Sequence, residues 1–153
     1  MRYDVQRLAD NSTGYMFSDK TSHVLARGFV VWLLIIVAET IHGIARTLLL
    51  EPLIGDFRAR QVSIFTGAAM IVVITFVFVR WLKGSNALDF ISIGTLWVIL
   101  TVGFEILLGR LALDLSWERI ASDYDFFQGG LMLLGLLVML LVPVTMAKLF
   151  DEF

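Results

Sequence analysis

Cysteine is absent from this chain of 153 residues, which excludes disulfides, thiolate metal sites, iron–sulfur clusters and cysteine nucleophiles. Proline is scarce, with Pro52 and Pro143 the two in the chain, so few positions can break a helix. Histidine occurs only as His23 and His42. These two lie more than about five helical turns apart on one segment, a poor arrangement for clasping a haem. Charged residues make up 17% of the chain, against about 25% in an ordinary soluble domain. The net charge of −2 offers no attraction for nucleic acid. No serine–histidine–acid set and no glycine-rich phosphate loop is present.

What the chain has instead is hydrophobic length. Apolar residues reach 58%, concentrated in four runs at 27–50, 62–79, 90–109 and 129–147. Each is close to the ~20 residues that cross a bilayer as a helix. The expected fold is all-α, a polytopic four-helix transmembrane bundle with helices at about 25–50, 61–82, 87–110 and 126–149. Residues 1–24 are expected to form a short polar N-terminal tail, lying at the interface. Its opening, Met1-Arg2-Tyr3-Asp4, carries mixed charge, and the first apolar run is too long for a signal peptide, so that run reads as an uncleaved first span.

Punctuation between the runs is of the usual kind. Pro52 is expected to end the first helix at Leu50 or Glu51, and 52–60 to form a connection skimming the interface. Asn86 with Asp89 three residues on is an N-terminal capping pattern, and Ser122 with Asp125 is another before the fourth helix. Trp81 and Trp117 fall at span edges, where amphipathic rings belong. Pro143 is expected to kink the fourth helix, and Gly129-Gly130 to open it as a packing surface.

The chemical lead is a set of ionisable groups inside the runs. A charge at the centre of a spanning helix costs on the order of 2.5–3.5 kcal/mol on insertion scales. Glu39, His42 and Arg46 fall at i, i+3 and i+7 and so share one face of the first helix. Thr101, Glu105 and Gly109 make a similar stripe on the third. The stripes are expected to face each other, joining Glu39, His42, Arg46 and Glu105 in one buried polar cluster, with Ser63, Thr66 and Gln128 near the same level. Three readings stay open. The cluster is an ion-paired structural lock, or a proton or ion site of a small transporter or channel, or a metal centre of Glu39, His42 and Glu105. The second rests on desolvated carboxylates exchanging protons and on imidazole titrating near neutrality. The third rests on Glu39-x-x-His42, a spacing used by carboxylate-bridged di-iron bundles, which here lacks its second copy.

Separately, Arg58, Arg60 and Gln61 at the start of the second helix are placed to meet an anion or lipid headgroup, although paired arginines at an interface also serve as anchors. Arg110 is expected to turn away from Glu105 and meet the third connection. The expected role is non-enzymatic, either a transporter- or channel-like unit or an accessory membrane subunit, with the metal enzyme as the alternative. No cofactor is expected outside that metal reading. The expected partners are the lipid bilayer and either further copies of the chain or a larger membrane complex.

Three segments carry a resemblance: the run from Glu39 to Gln61, then Phe104-Glu105-Ile106-Leu107-Leu108-Gly109-Arg110, then Trp117-Glu118-Arg119 through Asp123-Tyr124 to Gly129-Gly130. They resemble a group of small bacterial inner-membrane proteins with four helices. The resemblance covers most of the chain beyond residue 25. It implies a bacterial inner-membrane address and carries neither an activity nor a site.

Orientation follows from the basic residues. With four spans, Arg2, Arg7, Lys20, Arg27, Arg80, Lys83 and Lys148 share the side of both termini, while Arg46, Arg58, Arg60, Arg110 and Arg119 share the other. Seven against five places both termini in the cytoplasm. In this cysteine-free chain, an impermeant thiol reagent on spheroplasts should label Ser116→Cys and spare Ser85→Cys; the reverse pattern would invert the topology.

Overall fold

The computed structural model describes residues 2–152, with side chains described from residue 21 onward except that of Gln128. Helix α1 spans Arg2–Ala45 and passes through a π-helical turn, Arg46–Leu50, into the short α2, Glu51–Ile54. Helix α3 spans Asp56–Leu82, and α4 spans Ala87–Leu107 with a second π-helical turn at Leu108–Ala112. The short α5, Trp117–Tyr124, and a 3-10 turn, Phe126–Gln128, lead to α6, Met132–Leu149. No strand occurs among the described residues. Thr21–Ile54, Asp56–Leu82, Ala87–Ala112 and Met132–Leu149 are each long and apolar enough to cross a membrane. The fold is an all-α bundle of a membrane protein.

Several boundaries fall elsewhere than the sequence suggests. The helical backbone of α1 already runs from Arg2; the interfacial placement of the expected N-terminal tail lies outside the described side chains. Pro52 does not end the first span. It occupies the first turn of α2, directly after the π-helical turn. The wide turn before it, closed by Glu51 N–H donating to Arg46 O, moves the preceding carbonyls out of the register in which a proline ring clashes. The break comes at Gly55, whose φ of 81° suits a residue without a Cβ. Because Gly55 alone separates α2 from α3, the expected connection at 52–60 is absent, and Arg58 and Arg60 sit inside α3.

Asn86 does cap α4, its side chain accepting from Asp89 N–H at 2.9 Å, while Asp89 Oδ2 accepts from Ser85 N–H and Oγ. Ser122 does not cap the fourth span. It lies within α5, donating to Arg119 O, and Ser116 is the residue that caps α5. Gly129-Gly130 forms the turn before α6, with Gly129 at φ 85°, and does not open the helix. Helix α6 continues through Pro143, which is buried.

The four spans form a ring in which α1 packs on α3 and α4, and α6 packs on the same two from the opposite corner. The apolar core fills one half of this ring. Val31, Trp32 and Ile35 of α1 meet Ile71 and Val79 of α3, Phe90, Ile93 and Trp97 of α4, and Met139 and Ala147 of α6. Polar links run through that half. Trp97 Nε1 donates to Gly28 O at 2.7 Å, Trp32 Nε1 donates to Thr101 Oγ1 at 3.0 Å, and Thr101 Oγ1 lies 3.2 Å from Met139 Sδ. Side chains such as Leu33, Val37, Phe65, Val73 and Ile99 point outward to lipid.

Close backbone approach sets the α4–α6 spacing. A Cβ at Gly94 would collide with the carbonyl oxygen of Leu140, which is backbone and cannot swing aside. Gly94→Ala should therefore lower thermal stability in detergent by about 1–3 kcal/mol, the range for overpacking. Gly103→Ala, on the same helix with nothing within 4 Å of its added methyl, should be neutral or raise stability by up to about 1 kcal/mol.

Candidate functional site

The other half of the ring is hollow. A cavity of about 660 Å³ lies between the C-terminal parts of α1 and α4 and the N-terminal parts of α3 and α6, with α5 across its mouth. Glu39, His42, Arg46 and Glu105 all line it. They do not form the single buried cluster that the helical spacing suggests, and three separate pairings replace it. His42 and Arg46 each keep a fifth to a quarter of their side-chain surface exposed, with Glu39 similar.

Helix α1 holds the first pair. His42 Nδ1 lies 3.5 Å from Glu39 Oε2, and its Nε2 lies 2.8 Å from Thr66 Oγ1 on α3. The imidazole thus bridges a carboxylate on one helix and a hydroxyl on the next. Glu39 can sit this close to α3 because Gly67 faces it: an added Cβ there would stand 2.9 Å from Oε2. Glu39 Oε1 is buried without a hydrogen-bond partner.

Arg46 leaves its own stripe. It begins the π-helical turn, and the one-residue link at Gly55 brings Asp56 beside it, so Arg46 Nη1 lies 3.5 Å from Asp56 Oδ1. Asp56 also meets Arg60 Nη2 at 3.1 Å and Arg119 Nη2 at 3.4 Å. Asp123 joins the same lattice, bonded directly to Arg60 and lying 3.2 Å from Arg119 Nη1. Three guanidinium groups therefore share two carboxylates where α5 meets α3. Arg46 Nη1 and Arg60 Nε are buried without a hydrogen bond.

Glu105 takes a neutral partner, accepting from Tyr124 OH at 2.8 Å. Tyr124 ends α5, so this bond and the arginine lattice together hold α5 over the cavity. Burial, and after it the Glu105 carboxylate, raises the Tyr124 phenol well above the ordinary tyrosine value.

The remaining sequence candidates scatter. Arg58 is exposed on α3, Arg60 turns to the two aspartates, and Gln61 Nε2 donates to Gly129 O at 3.3 Å, so these three do not form one anion contact. Arg110 turns to the third connection, donating to Leu115 O with its guanidinium 5.1 Å from the centre of the Trp117 ring. Among the described residues, no three His, Asp or Glu side chains converge in a way that could hold a metal ion. Glu105 accepts from Tyr124, whereas His42 pairs with Glu39, and that pair alone is two ligands short of a closed shell of four. The side chain of Gln128 lies outside the described residues.

Sequence reasoning missed Asp56, Arg119, Asp123 and Tyr124 as site residues. One signal was present. Arg119 and Asp123 stand at i, i+4 on an eight-residue helix, α5, between two spans, a pairing that marks one polar face. Nothing in the spacing indicated that this face turns inward. No family model, curated protein or solved structure matches the chain.

The Tyr124 bond makes an alkaline prediction. A phenol held above its usual range in the fold, but ordinary when unfolded, stabilises the fold fully below pH ~10. That stability is lost as the pH rises further, because the unfolded chain gives up the proton first. Tyr124→Phe should flatten the alkaline loss of thermal stability, and absorbance titration should find Tyr124 the last tyrosine to ionise. Equal alkaline slopes for the two proteins would refute the assignment.

Proposed function

We propose that this chain is a non-enzymatic integral membrane protein, a small transporter- or channel-like unit that admits a solute to the cavity beneath α5. One observation carries the reading: polar groups from α1, α3, α4 and α5 line a cavity at one end of the bundle. Polar and ionisable groups within spans are expensive, and facing a cavity is their usual justification. In this reading Glu39 and Glu105 take up a cation or proton, and His42 relays between Glu39 and Thr66. Arg46, Arg60 and Arg119 hold the α5 cap through Asp56 and Asp123.

The proposed address is a bacterial inner membrane with both termini in the cytoplasm, which opens the cavity toward the periplasm. An accessory-subunit role is the second reading, and the arginine–aspartate lattice favours it, since the same bonds lock α5 to α3. That role would pair the exposed apolar faces with further copies of the chain or with a larger membrane complex.

Liposome flux separates the two. A transporter should show pH-dependent proton or monovalent-cation flux above that of empty liposomes, and Glu39→Gln should remove the pH dependence while keeping the helical circular dichroism. Flux no greater than in empty vesicles would favour the accessory role.

A further inference from the structure

The cavity is polar at its mouth and apolar at its floor. Arg46, Arg60 and Arg119 line the mouth with Asp56 close by and Asp123 between two of them, so three guanidinium groups meet two aspartates there, while Glu39 and Glu105 line the same cavity. About 15 Å deeper along α1, at 1.5 Å per residue, the lining becomes Ile36, Ile71, Leu136 and Met139. Neither aspartate satisfies every guanidinium nitrogen. Arg46 Nη1 and Arg60 Nε, both buried, make no hydrogen bond.

Two guanidinium nitrogens without a hydrogen bond, Arg46 Nη1 held only by its 3.5 Å ion pair to Asp56 and Arg60 Nε, suit an oxyanion, because guanidinium groups recognise phosphate and carboxylate oxygens through directed N–H bonds. The apolar floor suits a hydrocarbon chain, and the volume lies within the range of ordinary ligand pockets. Between mouth and floor, Glu39 Oε1 is a buried acceptor without a donor. It would receive a hydroxyl from the same ligand. The geometry points to an anionic amphiphile as the occupant: a phosphate headgroup against Arg46 and Arg60, a hydroxyl toward Glu39, and an acyl chain on the apolar floor. This rests on the cavity-binding reading above and adds an occupant for its arginine end, distinct from the cation or proton taken up at the carboxylates.

Free phosphate shares the headgroup chemistry and would meet the same arginines. The 153-residue chain in neutral detergent distinguishes the sources, with Ser63→Cys, a lining position, as the reporter. Modification of that thiol by a small methanethiosulfonate reagent measures access to the cavity. Lysophosphatidylglycerol should slow modification about tenfold, a difference equivalent to about 1.4 kcal/mol. Lysophosphatidylcholine and inorganic phosphate should leave the rate unchanged. Adding Arg46→Gln should abolish the protection, read as the ratio of rates with and without lysophosphatidylglycerol in that same variant, and Arg46→Lys should restore part of it.

Equal protection by both lysolipids, protection by phosphate alone, or full protection in Arg46→Gln would each overturn the inference. Free modification with no protection by any of the three probes would overturn the amphiphile and leave the cavity reading standing. A thiol unreactive under every condition, in a protein that is folded by circular dichroism, would overturn the cavity reading and this inference with it.

Discussion

Two indole N–H groups carry the alignment of this bundle. In lipid the tails are as apolar as leucine, so burial of hydrocarbon gives helices little reason to choose one partner face over another. What remains is close packing and the satisfaction of polar groups. Trp97 bonds to a backbone carbonyl of α1, Trp32 bonds to a threonine of α4, and that threonine touches a methionine of α6. Each bond has one geometry, so together they set the rotation and height of α1 against α4. The contact of Gly94 with the Leu140 backbone then sets how near α6 can come. Everything beyond the level of Thr101 inherits its position from these contacts.

Beyond that level the character of the bundle changes. Large apolar side chains give way to Gly67, Gly109 and Gly130 among the buried residues, and the space they leave is bounded by charges. Two wide helical turns occur at this end, one after Glu39 and His42 and one after Glu105. A π-helical turn inserts an extra residue and rotates the downstream side chains about the helix axis, and such turns are frequent at functional sites. Here the first of them begins at Arg46, where the chain departs from the Glu39–His42 stripe to reach Asp56.

The arginine–aspartate lattice is partly exposed, so its energetic worth is modest compared with a fully buried network, and salt would screen it. Its structural consequence is larger. Helix α5 is short and polar, too short to be a stable helix alone, and its seat over the cavity depends on bonds from Arg119, Asp123 and Tyr124 to α3 and α4. A cap held by half-exposed ion pairs and one phenol–carboxylate bond can be released at far lower cost than a spanning helix. That difference suits a site which must admit something.

The class of this protein was legible from its residues alone. Four long, mostly apolar runs leave a chain no option but helices, because in lipid each backbone amide must find its partner within its own segment. The Asn86–Asp89 cap and the shared cavity-facing side of Glu39, His42 and Arg46 were legible for a similar reason, since helical spacing is local. The helix ends were less so: Pro52 is a breaker by propensity, and only the wide turn ahead of it, with Gly55 just beyond, explains why the helix persists. The pairings were not legible at all. Whether Arg46 meets Glu39 or Asp56, and whether Glu105 meets a base or Tyr124, depends on where a one-residue link and an eight-residue helix direct the chain. Those are distances between segments remote in sequence, and they exist only once the bundle has folded.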